Sequence, residues 1–349
     1  MRIWTGSALA ALALVWLYGA WGAGYFVFDR EGFASGRTLA GVEAFSLHKH
    51  FVQAGGRTVA SIDEGHGAPV VLLHGCPFHS YEWRYIIPQL AEHYRVIAPD
   101  LLGLGDTPVR LDEDYRLPND AAMVLALLDS LGVHEAFFVG HDHGAATLQL
   151  LMKEHPERIR AAVLTNAEAY DQWPSKPERP FVALMVNPLT APLFRLAMGS
   201  RWVQRQVFAI AHHDPDRSMT DADLDAYLRA SLSTPRRSAR FRRFFRWQLD
   251  PQHNRVTLDL VDGLRRFQKP TLIAWGQKDT NFGPEIADRL ARDIPGAVGI
   301  HWFEHSAHMP MEEEPEAYGA TLLRFFSQSE AAAAARRPEP LHIGRAEER

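Results

Sequence analysis

Apolar positions along the chain follow three rhythms, and their order predicts the architecture. An uncharged run fills residues 3–28. Two alternating stretches follow, 45–54 and 57–63, separated by Gly55-Gly56, the pattern of an antiparallel hairpin. Short continuous apolar runs then recur at 69–73, 95–98, 136–139, 161–164, 270–276 and 298–303, each the length of a strand buried on both faces. Helical spacing fills 82–93, 119–131, the stretch from the 140–144 turn to about His155, 284–292 and 313–327. Strands alternating with helices predict an α/β fold, with a mostly parallel central sheet covered by helices on both faces.

Between 168 and 266 the alternation stops. The segments 181–198, 202–211, 220–231 and 238–249 read as short helices, the third capped by Thr220 with Asp223 behind it. This block is predicted to be an inserted helical cap. The resulting division is 1–30, a membrane anchor or signal segment; 31–44, a linker; 45–167, the first half of the core; 168–266, the cap; 267–328, the second half of the core; and 329–349, a solvated tail.

The run at 3–28 is long enough to span a bilayer as a helix. Arg2 precedes it and Asp29-Arg30-Glu31 follow, a bias that places the body of the protein outside the cytoplasm on a single-pass anchor. The alternative is a cleaved signal and a secreted or periplasmic product. Among 349 residues the formal charge is −5, which gives no basic footprint for nucleic acid. Cys76 is the sole cysteine, so no intrachain disulfide is available.

Chemistry concentrates at Gly140-His141-Asp142-His143-Gly144, a sharp turn between a buried strand and a helix that opens on small residues. Glycines two before and two after a central residue mark a nucleophile elbow, where a strained backbone lifts one side chain above the sheet. That position most often carries Ser; here it carries Asp142. A carboxylate is already ionised near neutral pH and attacks carbon without help. The ester it forms then needs a base for water and donors for an oxyanion. Asp279, in the turn after the 270–276 strand, and His308, in the loop after the last strand, complete the order nucleophile, acid, His. His305 and His301 are the alternatives to His308. A metal at His141 and His143 needs a further converging ligand, and neither a metal nor an organic cofactor is expected. His212-His213-Asp214 reads as cap surface, and Glu312-Glu313-Glu314 as charge favouring a helix N-terminus.

From about 46 to 327 the chain resembles the α/β-hydrolase superfamily, in its aspartate-nucleophile branch of haloalkane dehalogenases and epoxide hydrolases. The resemblance rests on HGCPFHSYEWRYIIPQLAEHYRVIAPDLLGLGDT, DYRL, FFVGHDHG, HPERIRAAVLTN, LIAWGQKD and HSAHMPMEEEPE. It implies that the backbone N–H groups of Cys76 and His143 form the oxyanion hole, which keeps Cys76 from being the nucleophile. It also implies that Trp83, Tyr170 and Tyr227 contact a small apolar substrate, with water as co-substrate.

The departures divide the branch. Dehalogenases commonly place Trp after the nucleophile and Asn at the donor loop; this chain has His143 and Cys76. Those with a glutamate acid carry it after the strand that ends near Asn166, and the absence of Glu at that position favours Asp279. Epoxide hydrolases use two cap tyrosines, and the insert offers only Tyr170 and Tyr227. The leading expectation is an epoxide-hydrolase-like enzyme. The alternatives are a dehalogenase-like hydrolase and a non-catalytic, membrane-tethered binding protein of the same fold.

Overall fold

The computed structural model describes residues 2–26, 45 and 48–335. Eight strands form one sheet: β1 (Lys49–Ala54), β2 (Arg57–Glu64), β3 (Pro69–Leu73), β4 (Arg95–Pro99), β5 (Ala136–His141), β6 (Ile159–Thr165), β7 (Thr271–Gly276) and β8 (Ala297–Phe303). Their spatial order is β1-β2-β4-β3-β5-β6-β7-β8. The Gly55-Gly56 turn sets the β1–β2 register at Ala54 opposite Arg57. β2 also runs antiparallel to β4, and every other pairing is parallel.

Alternation along the central strands feeds two cores. Phe138 joins the core on one face, while Phe137 and Val139 join the core on the other. All six residues of β5 and of β7 are buried, which is why these strands read as unbroken apolar runs. Helices α2 (Ile86–Ala91), α3 (Leu117–Ser130), α4 (Asp142–Glu154), α13 (Pro284–Asp293), α14 (Pro310–Glu313) and α15 (Pro315–Ala335) belong to the sheet layers. α5 (Arg179–Val186), α6 (Ala191–Ala197), α7 (Arg201–Phe208), α8 (Pro215–Ser218), α9 (Asp221–Leu232), α10 (Pro235–Gln248), α11 (Pro251–Asp259) and α12 (Val261–Leu264) fill the gap between β6 and β7.

Several expected bounds shift for identifiable reasons. The helix expected over 181–198 is two helices meeting at a 104° bend. Pro188 lies in the break, and the residue before a proline avoids helical backbone. The helix expected over 82–93 is a short 3₁₀ turn, Ser80–Trp83, followed by α2. The tail expected from 329 stays helical to Ala335, because a run of alanines propagates a helix already started; residues 336–349 lie outside the described part, as does the whole of the expected 31–44 linker.

The membrane-crossing expectation is not supported. Among the described residues, which include α1 (Arg2–Gly22), no single helix is long and apolar enough to span a bilayer. α1 instead packs on the cap. Trp16 Nε1 donates to the Leu189 carbonyl at 3.2 Å, and the Arg242 guanidinium lies 3.6 Å from the centre of the Tyr25 ring.

One buried ion cluster ties cap to core. Lys49 Nζ donates to Asp100 at 2.7 Å and to Asp106 at 3.1 Å. From α10, Arg237 reaches the other oxygen of Asp106 at 2.9 Å. Buried charges persist only when matched in this way.

Candidate active site

β5 ends and α4 begins inside a single turn, with Asp142 at φ 50°. That is left-handed backbone, strained for a residue with a Cβ. The flanking glycines allow it: a Cβ on Gly144 would strike the Leu73 carbonyl, and one on Gly140 would lie 2.7 Å from the Ala145 Cα. The turn aims Asp142 at the carboxyl edge of the sheet, where parallel strands present their ligands.

Asp142 Oδ1 accepts N–H groups from Cys76 at 2.7 Å and His143 at 2.6 Å. Oδ2 lies 3.4 Å from His308 Nε2, an ion-pair distance without a hydrogen bond. Burial alone would raise the Asp142 pKa; His308, His141 and the Cys76 amide outweigh it, so the net shift is downward and the carboxylate stays ionised. On the far side of the ring, His308 Nδ1 lies 3.0 Å from Asp279 Oδ2. Asp279 is fixed by Asn166 Nδ2 at 2.7 Å and by the Asn281 amide at 2.7 Å. Burial opposes the charged form of His308, but Asp279 and Asp142 hold its pKa well above the ordinary histidine range. The His308 N–H donates to the Ala211 carbonyl of the cap at 3.0 Å.

The donor loop is braced from below. The Gly75 amide donates to the buried Glu82 carboxylate at 3.1 Å. Glu82 lies 3.2 Å from His141 Nδ1, and His141 Nε2 lies 3.0 Å from the His308 carbonyl. His141 is therefore a strut between the cradle and the His308 loop. His143 points elsewhere: its Nδ1 lies 3.3 Å from Glu168 and its Nε2 lies 3.1 Å from Asp120. Burial disfavours its charge, yet these two carboxylates push its pKa up to about 10. Burial and the charge of Asp142 push the Cys76 thiol up, so it stays a thiol beside Asp142.

Between cap and sheet lies a pocket of about 690 Å³, counted out to its mouth, with Asp142 and His308 on its floor. Phe78, Phe181, Val207, Phe208 and Phe245 supply apolar walls. A second chamber of about 360 Å³ shares Phe181, Val207, Phe208 and Phe245 with it and runs on under the cap.

Three expected substrate contacts do not face this pocket. The Tyr227 hydroxyl donates to Glu312 and accepts from Arg84 at 3.2 Å, so only its ring borders the second chamber. Tyr170 turns outward, its hydroxyl donating to Asp293 at 3.1 Å and its ring under Arg289. Trp83 is fully buried against His141 and Tyr318. Helical spacing says which residues share a face, but not which side of a cap helix meets the pocket. His212, expected on the surface, is buried with its Nε2 3.1 Å from Glu312. Glu312 likewise does more than favour a helix terminus, since Arg84 and Tyr227 also converge on it.

Four polar residues on the pocket wall were not anticipated: Glu168, Glu178, Gln248 and Asn281. Glu168 follows β6 by three residues, so the rule that located Asp279 at a strand's carboxyl end locates it too. Asn166 holds the position directly after β6, and Glu168 stands two residues further along the same edge. Burial and the charge of Asp142 push Glu168 up to about 8 and Glu178 up to about 7. Gln248 is buried on this wall beside the Cys76 thiol.

Residues 68–315 match the alpha/beta hydrolase fold family. Among curated relatives, the chain is 27% identical over 293 residues to the cis-3-alkyl-4-alkyloxetan-2-one decarboxylase of Shewanella oneidensis, covering 81% of this chain and 89% of that one. It is 28% identical to haloalkane dehalogenase 2 of Mycobacterium tuberculosis, covering 76% and 90%. It is 27% identical to the soluble epoxide hydrolase of a Corynebacterium species, covering 80% and 96%. The chain belongs to the α/β-hydrolase family and is a hydrolase, with haloalkane dehalogenases and an epoxide hydrolase among its curated relatives.

Proposed function

We propose that this hydrolase acts through an ester on Asp142 and that its substrate is a small apolar epoxide. One observation carries the reading: Asp142 Oδ1 already sits on two backbone N–H groups while Oδ2 is turned to the pocket and to His308. Attack by Oδ2 on a ring carbon leaves Oδ1 as the ester carbonyl, in place for the charge that develops when water adds. The attack also removes the charge of Asp142. His308 then loses one of the two attractions that hold its proton, releases the Nε2 proton to solvent and becomes a base for water, while Asp279 keeps its Nδ1–H oriented. Hydrolysis releases the diol and restores the carboxylate.

Aromatic and aliphatic walls favour an apolar substrate, and the adjoining chamber has room for a hydrocarbon substituent. The relative named for a dialkyl oxetanone supports a strained oxygen ring with alkyl arms. Halide displacement is the second reading; Gln248, a buried amide on the pocket wall, favours it as a donor for a leaving anion.

The test is intact-mass spectrometry of the full chain carrying His308→Ala, incubated with styrene oxide or chlorohexane. Removal of the base stalls hydrolysis of the ester. An adduct with the mass of the whole epoxide, mapped to Asp142, supports ring opening. An alkyl adduct without chlorine supports dehalogenation. The absence of both sinks the ester reading for these substrate classes.

A further inference from the structure

We propose that Glu168 is a further catalytic residue, the acid that protonates the ring oxygen as Asp142 opens the epoxide; this rests on the ring-opening reading above. Breaking the carbon–oxygen bond leaves an electron pair on oxygen. A bare alkoxide is strongly disfavoured among apolar walls, so a proton must come from the pocket itself. Tyr170 and Tyr227 do not face it. His308 stands on the nucleophile side, with Nε2 toward Asp142, and Cys76 holds its proton too tightly.

Glu168 meets the requirement by position. It is 2% exposed and lines the same pocket as Asp142. Behind it stands a line of buried groups: Glu168 Oε2, His143 Nδ1 at 3.3 Å, and Asp120 Oδ2 3.1 Å from His143 Nε2. The other Asp120 oxygen accepts the Leu102 amide at 2.8 Å, so the line is anchored in the core. His308 has its own acid in Asp279, which leaves Glu168 free of that duty.

The charged groups facing Glu168 are Asp142, His143 and Glu178. Burial and then Asp142 raise its pKa, Glu178 adds to the rise, and His143 opposes it, giving about 8. The carboxyl thus carries a proton at neutral pH, in the range where a general acid works best. Glu178 is the rival, but it is half-buried, just ahead of α5.

The step balances. Asp142 Oδ2 bonds to carbon, the ring carbon–oxygen bond breaks, and its electron pair takes the Glu168 proton. The result is a hydroxyalkyl ester and a Glu168 carboxylate beside cationic His143. Ester hydrolysis returns one proton to His308, and the proton that His308 released to solvent is matched by the one that restores Glu168.

The experiment follows alkylation of the full-length His308→Ala chain by styrene oxide, by intact mass, as pH is varied. In the parent the rate falls as pH rises through about 8. Adding Glu168→Gln is expected to slow alkylation by at least about tenfold and to abolish that fall. Glu168→Asp is expected to restore part of both; it also stands in if the Gln variant does not fold, with a lowered rate that keeps the pH limb. The ratio of epoxide to chlorohexane alkylation is expected to drop with Glu168→Gln, because chloride leaves without a proton. The inference is overturned if Glu168→Gln keeps both rate and pH limb, or if Glu178→Gln rather than Glu168→Gln removes the limb. Absence of any adduct in the parent overturns the ester reading and this inference with it; an adduct indifferent to Glu168 overturns this inference alone.

Discussion

Two buried histidines in this molecule each stand between two carboxylates, and they do opposite things. His308 lies between Asp279 and Asp142, with Nε2 left without a hydrogen bond on the pocket floor. His143 lies between Glu168 and Asp120, with both nitrogens engaged and its ring edge-on to Trp173 and Phe244. The residue types match, so what separates a base from a clamp is one unengaged nitrogen. Such a nitrogen exchanges protons with water or substrate; a doubly engaged one fixes the carboxylates at its ends.

The comparison can be broken at several points. The largest effect is expected from Asp142→Asn, which keeps the shape and removes the nucleophile: turnover falls by at least about 10⁴-fold, and His308→Ala no longer traps an adduct in that background. Asp279→Asn is expected to leave alkylation intact and slow ester hydrolysis by about 10²–10⁴-fold, read as ester accumulating in rapid-quench mass spectrometry. A result in which alkylation slows instead would dissolve the division of labour between the two histidines.

Asp120→Asn strikes the clamp. Breaking one side of a buried pair destabilises by about 3–5 kcal/mol, so a lowered Tm is expected without loss of ester hydrolysis by the folded fraction. A smaller effect is expected from pH alone. His143 rises from its ordinary value to about 10 and Glu168 rises to about 8, so the folded chain binds more protons than the unfolded one between these values and their ordinary ones. The His143 contribution is complete below about pH 6.5 and fades as pH climbs toward about 10. Tm is therefore expected to decline across that window, less steeply in His143→Gln. The smallest effect is expected from Tyr227→Phe: removing a hydroxyl bonded to a buried carboxylate lowers stability by about 1–3 kcal/mol, while kcat/KM changes by less than about twofold. A large loss of kcat/KM would return Tyr227 to the pocket.

Much of the framework was readable because it rests on local chemistry. Continuous apolar runs become strands only when both faces are covered, as in β5 and β7, and the two glycines around Asp142 are required by backbone contact. Asp279 and His308 were found by one rule, that side chains at the carboxyl ends of parallel strands converge. The cap was less readable because its helices are short and oriented by what they pack on. Nothing in the spacing around Tyr227 reveals that Glu312, 85 residues away, claims its hydroxyl. Glu168 was missed for a different reason. Asp279 already supplies the acid for His308, and this glutamate pairs with the other histidine, His143.

The bond from the His308 amide to the Ala211 carbonyl has a consequence for remodelling this enzyme. Cap exchange is an attractive route to new specificity, because the insert begins and ends on neighbouring strands. Here the insert also carries a peg for His308, the proposed base, reinforced one residue on by His212 against Glu312. A transplanted insert that lacks a carbonyl at that point would reshape the pocket and set the base adrift together. Chimeras of this chain should therefore divide into those that retain residues 208–213 and keep turnover, and those that replace them and stall at the ester.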